Sequence, residues 1–273
     1  MIDFMKMSGS GNDFIVIDNR DQSLAAGNIT EFVRTVCERK VSVGADGLII
    51  IENSDRADFR WRYFNADGSE ADMCGNGARC TARFAYLRGI AKENMSFETG
   101  AGIIKAEVRG ETVKVKLTEP YAIKVSIPLV IEGQPLEVSF INTGVPHVVL
   151  FVQDLDRYDA FNTGRKIRYH KEFQPEGTNA NFMEVIDRHT IRVRTYERGV
   201  EDETLACGTG VVASVLISSC KGLVESPVDV RVRSGETLKI YFHKAGHVFK
   251  DIYLEGKANV VYEGRIWDEA YRR

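Results

Sequence analysis

The chain has 273 residues, 44% of them apolar, and 36 Lys and Arg against 39 Asp and Glu give a net charge of −3. That balance is enough for one or two buried cores and argues against a disordered chain or a surface built for nucleic acid. No apolar run approaches the roughly 20 residues that cross a bilayer, and "MIDFMKMSGSGNDF" lacks a charged stretch followed by an apolar one, so a cytoplasmic protein without a membrane anchor is expected.

Along the chain, "GSGNDFIVID" sets Asn12 just before a strand-like apolar run, and residues 30–40 read as a helix. "WRYFNADGS" reads as a strand and turn. It leads into "ADMCGNGARCTARFAYLRGI" at 71–90, in which a Cys-Gly-polar-Gly turn opens a helix whose small and apolar residues occupy nearly every side. The turn and strand "FETGAGIIKAEVRG" follow. In "KVKLTEPYAIKV", Pro120 ends a strand-like alternation and places a boundary near Glu119.

The second half then repeats the first. His147 in "TGVPHVVLFV" stands before an apolar run as Asn12 does, "IRVRTYERG" reads as a strand, and "ETLACGTGVVASVLISSCKGL" at 203–223 repeats acidic-x-x-Cys-Gly-polar-Gly-helix, with the helix over 208–221. "VRSGETLKIYF" supplies the matching strand. The expectation is an α+β protein of two structurally similar domains, each a mostly antiparallel sheet with a central buried helix.

Five cysteines, Cys37, Cys74, Cys80, Cys207 and Cys220, are an odd number without a C-x-x-C pair, which suits reduced thiols better than disulfides or a zinc ribbon. Cys37, Cys80 and Cys220 sit among apolar or helical neighbours and read as small hydrophobes. Cys74 and Cys207 stand where a helix begins, so unpaired N–H groups and the positive end of the helix dipole favour the thiolate. The same N–H groups can hold a carboxylate, and the adjacent glycines allow close approach. Two such thiols on opposite faces of one carboxylate-bearing substrate would invert a stereocentre, one removing an α-proton and the other donating one.

These motifs resemble the diaminopimelate epimerase family over nearly the whole chain. The carriers are "GSGNDF" at 9–14, "FNADGSEADMCGNGARC" at 64–80, "GVPH" at 144–147, "TNANF" at 178–182 and "YERGVEDETLACGTG" at 196–210. The resemblance implies a homodimer of two-domain chains, each domain a curved sheet about its helix, divided as 1–119 (joined by the C-terminal segment 260–273) and 120–259. It implies cofactor-independent conversion of L,L- to meso-diaminopimelate for lysine and peptidoglycan precursors, with Cys74 and Cys207 catalytic. By motif, Asn12, Asn65, Asn179, Glu197 and Arg198 resemble substrate contacts, Gly75-Asn76 and Gly208-Thr209 the carboxylate cradles, and His147 and Glu197 the residues that tune the thiols. Gly47 and Val145 stand where many members have Gln and Asn, and "ERGVEDETLACG" runs one residue longer than the commonest form.

Other readings have weaker carriers. A proline or hydroxyproline racemase shares paired Cys-Gly turns, but its first turn typically continues with His where this chain has Asn76. A redox dithiol is disfavoured by about 130 residues of separation, and "GSGNDF" lacks a complete nucleotide-binding pattern. His243 and His247 in "HKAGH" lack nearby Cys or acidic ligands, so no metal is expected. No lysine stands in a recognisable pyridoxal context.

Overall fold

The structure, a computed structural model, describes residues 1–24, 28–246 and 248–271. His247 and residues 272 and 273 of the C-terminal segment lie outside the described residues. The chain divides into two compact units, Met1–Lys116 with Gly256–Arg273, and Leu117–Glu255. No helix among the described residues is long and apolar enough to cross a membrane.

The first unit runs β1 (Ile2–Gly9), β2 (Asn12–Asp18), α1 (Ile29–Cys37), β3 (Gly47–Glu52), β4 (Phe59–Asn65), β5 (Glu70–Ala71), α2 (Gly75–Leu87), β6 (Asn94–Thr99), β7 (Gly102–Arg109) and β8 (Thr112–Lys116). β1 and β2 form an antiparallel hairpin, β3 lies parallel to β2, and β4 returns antiparallel to β3. β5 and β6 share the other edge of β4, antiparallel and parallel respectively, and β7 and β8 continue the sheet. The parallel pairings arise because α1 and α2 are crossover helices, whereas tight turns join the antiparallel pairs. "GLIIIE" in β3 is apolar without alternation because this inner strand is buried on both faces.

The two helices occupy opposite faces of that sheet. Asn28 caps α1 by accepting the Glu31 N–H at 3.2 Å, and Val33, Val36 and Cys37 pack with Ile15, Ile17, Leu48, Ile50 and Phe64. α1 ends at Cys37, short of the expected residue 40, because the backbone turns back: the Gly44 N–H bonds the Val36 carbonyl at 2.9 Å and that of Ala45 the Cys37 carbonyl at 3.1 Å. On the other face α2 approaches so closely that a Cβ at Gly77 would stand 3.4 Å from both Ile49 and Trp61.

The second unit has the same connectivity: β9 (Tyr121–Ile131), β10 (Gln134–Asn142), β11 (Pro146–Phe151), α3 (Ala160–Arg168), β12 (Asn179–Asp187), β13 (Thr190–Glu197), β14 (Asp202–Thr204), α4 (Gly208–Cys220), β15 (Val228–Val232), β16 (Thr237–Ala245) and β17 (Val248–Lys257). Here β11 and β12 are parallel across α3, β13 and β15 are parallel across α4, and the remaining adjacent pairs are antiparallel. β18 (Asn259–Ile266) lies in the first unit, antiparallel to β1 with Ile2 opposite Ile266.

α4 is buried on every side, so its serine hydroxyls need partners away from water, and they find them in carbonyls one turn back. Ser214 donates to the Gly210 carbonyl at 2.8 Å and Ser218 to that of Ser214 at 2.7 Å. α3, absent from the expected elements, packs Ala160 and Ile167 against Leu150, Ala180, Phe182 and Tyr196. Asp159 caps it by accepting the Asn162 N–H at 3.1 Å.

Candidate active site

In the first unit Cys74 is the N-cap of α2, with extended backbone (φ −144°, ψ 119°), and its Sγ accepts the Gly77 N–H at 3.4 Å. The thiol thus takes the place a Ser or Asp occupies at an ordinary cap, beside N–H groups that the helix itself cannot pair. Its Sγ also lies 3.7 Å from Asn12 Oδ1, where the thiol donates. Nothing stands within 4 Å of a Cβ placed on Gly75, so the turn is open on that side.

Asn12 is held by a charge cluster that the sequence reading did not include. Its Nδ2 donates to Asp46 Oδ2 at 2.8 Å, and Asp46 and Asp13 share Arg39 at 2.8 and 2.5 Å. The buried Lys6 closes the cluster on Asp13 at 2.8 Å. Burial by itself would raise the Asp13 carboxyl, but hydrogen bonds from Arg39 and Lys6 outweigh it and hold the group at about 2. Asn76 faces inward: the fully buried Arg79 donates to its Oδ1 at 3.0 Å and to Ser10 in the β1–β2 turn at 2.7 Å. The Asn76 side chain therefore braces the hairpin, leaving the backbone of Gly75 and Asn76 as the cradle candidate.

Gly47 and Tyr63 are matched in shape. A Cβ on Gly47 would lie 2.6 Å from the Phe64 carbonyl and 2.8 Å from the Tyr63 ring. The tyrosine lies where a side chain at residue 47 would begin, and its hydroxyl donates to Asn65 Oδ1 at 2.9 Å while Asn65 Nδ2 donates to Ser69 at 3.0 Å. Only the sheet register, which sets Gly47 opposite Asn65, brings these residues together.

In the second unit Cys207 caps α4 from the same kind of extended backbone (φ −113°, ψ 109°) and is buried. Its Sγ lies 3.5 Å from Thr209 Oγ1. Glu197, at the end of β13, is raised above the ordinary carboxylate range by burial, opposed in part by the neighbouring Thr204 side chain and then by that of Cys207. The backbone N–H of Arg198 donates to Asn179 Oδ1 at 2.8 Å, and Asn179 Nδ2 donates to the Pro146 carbonyl at 3.0 Å. The Asn179 amide thus ties the start of β11 to the end of β13, and it is 3% exposed. Val145 is partly buried and accepts the Thr143 N–H through its carbonyl at 3.2 Å.

Within "ERGVEDETLACG" residues 198–201 form the β13–β14 turn. Glu201 adopts φ 58°, accepts the Gly199 N–H at 3.0 Å and pairs with Arg168 at 3.0 Å. His147 is fully buried, and burial, reinforced by the charge of Arg198, lowers its imidazole to about 3. It is a neutral ring at physiological pH. Of the remaining thiols, burial pushes Cys37 up to about 12 and raises Cys220 as well. His243 is exposed, and among the described residues no group of three or more His, Cys, Asp and Glu is placed to hold a metal.

A mixed sheet with a Cys-Gly-headed helix, present once in each unit, places the chain in a known structural class. The fold is that of a Bacillus anthracis phenazine biosynthesis protein of the PhzF family, with TM-score 0.75 and 19% identity over 97% of this chain and 99% of that one. It is equally that of a hydroxyproline epimerase from Agrobacterium vitis, with TM-score 0.69 and 14% identity over 100% and 98%. At these identities the likeness is one of fold. The sequence is more specific. A relative named diaminopimelate epimerase from Aquifex aeolicus is 50% identical over 279 residues, covering 98% of this chain and 99% of the relative, and the family model described as diaminopimelate epimerase matches residues 4–123 and 139–261. The chain belongs to the diaminopimelate epimerase family and is an isomerase.

Proposed function

We propose that this protein epimerises L,L-diaminopimelate to meso-diaminopimelate, in lysine and peptidoglycan precursor biosynthesis, by two-base proton transfer between Cys74 and Cys207. The observation that carries the mechanism is that both thiols are helix N-caps on extended backbone, each followed by glycine. One thiolate removes the α-proton, the other thiol delivers a proton to the opposite face, and no cofactor enters the step. The Gly75-Asn76 and Gly208-Thr209 backbones hold the α-carboxylate, and the two helix dipoles stabilise charge developing beside it.

Within this reading Asn12, Asn65, Asn179, Glu197 and Arg198 recognise the remaining polar groups of the substrate, the guanidinium matching its distal carboxylate. Glu197 acts on the Cys207 thiol, which it already contacts, and His147 tunes the thiols as a neutral ring. The proline or hydroxyproline racemase alternative is supported only by likeness of fold.

The test is incubation of the purified protein with L,L-diaminopimelate in deuterated water. Meso product carrying one α-deuterium is expected, and the absence of α-deuterium after prolonged incubation would refute the activity. Tyr63 offers a finer check, because Tyr63→Phe keeps the ring against Gly47 while removing the hydrogen bond that orients Asn65. A single neutral hydrogen bond of that kind corresponds to about a fivefold rise in KM. Unchanged steady-state KM in the variant would remove Asn65 orientation from the binding account.

The reading includes a cytoplasmic homodimer. β18 leaves Val261 and Tyr262 exposed on opposite faces of the sheet, with Trp267 exposed just beyond it, apolar surface at this strand that a second copy of the chain could cover. Light scattering at micromolar concentration should return twice the chain mass of 30.6 kDa, and a monomer mass would rule the dimer out.

A further inference from the structure

His147 lies on β11 directly opposite Asn179 of the parallel strand β12, and Asn181 follows two residues further along β12 on the same face. Asn181 is wholly buried and its amide is used at both ends. Nδ2 lies 2.8 Å from the Val148 carbonyl and 3.1 Å from His147 Nδ1, while Oδ1 accepts from Thr195 Oγ1 at 2.9 Å.

This arrangement determines where the histidine proton resides. A carbonyl oxygen can only accept, so the Val148 contact identifies the NH₂ end of the Asn181 amide. That same NH₂ group faces Nδ1, which must then be the acceptor nitrogen. A neutral imidazole with an accepting Nδ1 carries its single proton on Nε2. The Thr195 hydroxyl on Oδ1 fixes the same orientation from the other end, and at Gly210, in the first turn of α4, a Cβ would stand 2.2 Å from Asn181 Oδ1 and 3.2 Å from Thr195 Oγ1. Glycine at 210 lets the head of the Cys207 helix close down on this amide.

The other ring nitrogen is the functional end. His147 Nε2 is buried and has no hydrogen-bond partner among the described residues, a costly condition for an N–H donor in a finished core. We propose that Asn181 is a positioning residue that holds His147 as the Nε2–H tautomer, so that the ring presents a buried hydrogen-bond donor to an anionic atom instead of a lone pair that takes up protons. The positive charge of Arg198 bears on the same ring, which disfavours the imidazolium and favours an anionic guest. The inference rests on the proposed function for the identity of that guest, a thiolate or a substrate carboxylate; the tautomer follows from the hydrogen bonds alone.

The experiment reads the tautomer directly. In protein labelled with ¹⁵N-histidine, two-bond ¹H–¹⁵N correlations distinguish Nε2–H from Nδ1–H, and His147→Gln assigns the resonance by its loss. Wild-type protein is expected to give a single Nε2–H pattern at pH 7, and an Nδ1–H pattern there would overturn the proposal without recourse to any variant.

Asn181→Leu removes the donor while keeping the approximate shape. It should allow both tautomers and lower kcat about tenfold with KM changed less than threefold, as expected for loss of a group that acts on the reacting charge. Thr195→Val, which leaves the Asn181 NH₂ in place, should retain the Nε2–H pattern. Pure Nε2–H signals in folded Asn181→Leu protein, with kcat within twofold of wild type, would show that Asn181 does not hold the ring. If the protein lacked the proposed activity altogether, the wild-type spectrum would still decide the tautomer, so the two failures are separable.

Discussion

Cys74→Ala and Cys207→Ala will each lower kcat/KM for diaminopimelate by about 10³-fold, the scale of a lost general acid or base. Each replacement shortens a side chain at the N-cap of a buried helix without altering the glycines behind it, so the folded protein should persist and circular dichroism can verify that it does. Because inversion needs a proton removed on one face and delivered on the other, the two losses will not multiply: the double variant should be little worse than either single one. The decisive measurement is α-hydrogen exchange in deuterated water. Two single variants that both exchanged and epimerised at the wild-type rate would eliminate the two-thiol mechanism while leaving the family assignment intact.

Stability will fall between about pH 6.5 and pH 3 with a component that belongs to His147. Burial and Arg198 lower its folded-state value to about 3, below the ordinary 6.5 that the unfolded chain regains. Between those limits the unfolded state binds a proton that the folded state does not, so unfolding becomes easier as pH drops. The contribution is complete above about pH 6.5 and lost once the pH passes below about 3. Asp13 acts in a more acidic window: its folded value of about 2 lies below the carboxylate's ordinary 3.8, so its stabilisation is present above pH 4 and disappears toward pH 2. Urea unfolding at pH 7 and pH 4.5 separates them. Wild type should lose about 2 kcal/mol more than His147→Gln over that interval, and equal losses would mean that His147 is not held neutral by the fold.

The helices that carry the cysteines were legible in the sequence because their pattern is local. Small and apolar residues on every side, headed by Cys-Gly, specify a helix that can only be buried; α4 starts at Gly208 as expected, whereas α2 starts at Gly75, so that the Gly-Asn-Gly expected as a turn is already helix. α3 was not legible: "AFNTGRKIR" has three basic residues in its last turn and a sparse apolar face. Its Asp159 cap, with Asn162 three residues on, was the available signal. The parallel pairings were equally hidden, since a strand's direction is set by the path of its crossover and not by its own alternation.

At the site, what could be read from sequence was every group named by a contiguous motif. Tyr63 beside Gly47, Asn181 beneath His147, and Lys6 closing on Asp13 became visible only in three dimensions. Each depends on strand register, and a shift of one residue would turn the same side chain to the other face of the sheet.

By itself, then, the sequence determined the α+β class, the repeated Cys-Gly-headed helices and the residue types available for proton transfer, because local periodicity and backbone freedom at glycine are properties of short segments. The tertiary structure decided which amides are committed to the backbone, which nitrogen of His147 carries the proton and where Asn12 is anchored. Those outcomes depend on hydrogen bonds and burial between residues distant in the chain, which no segment specifies alone.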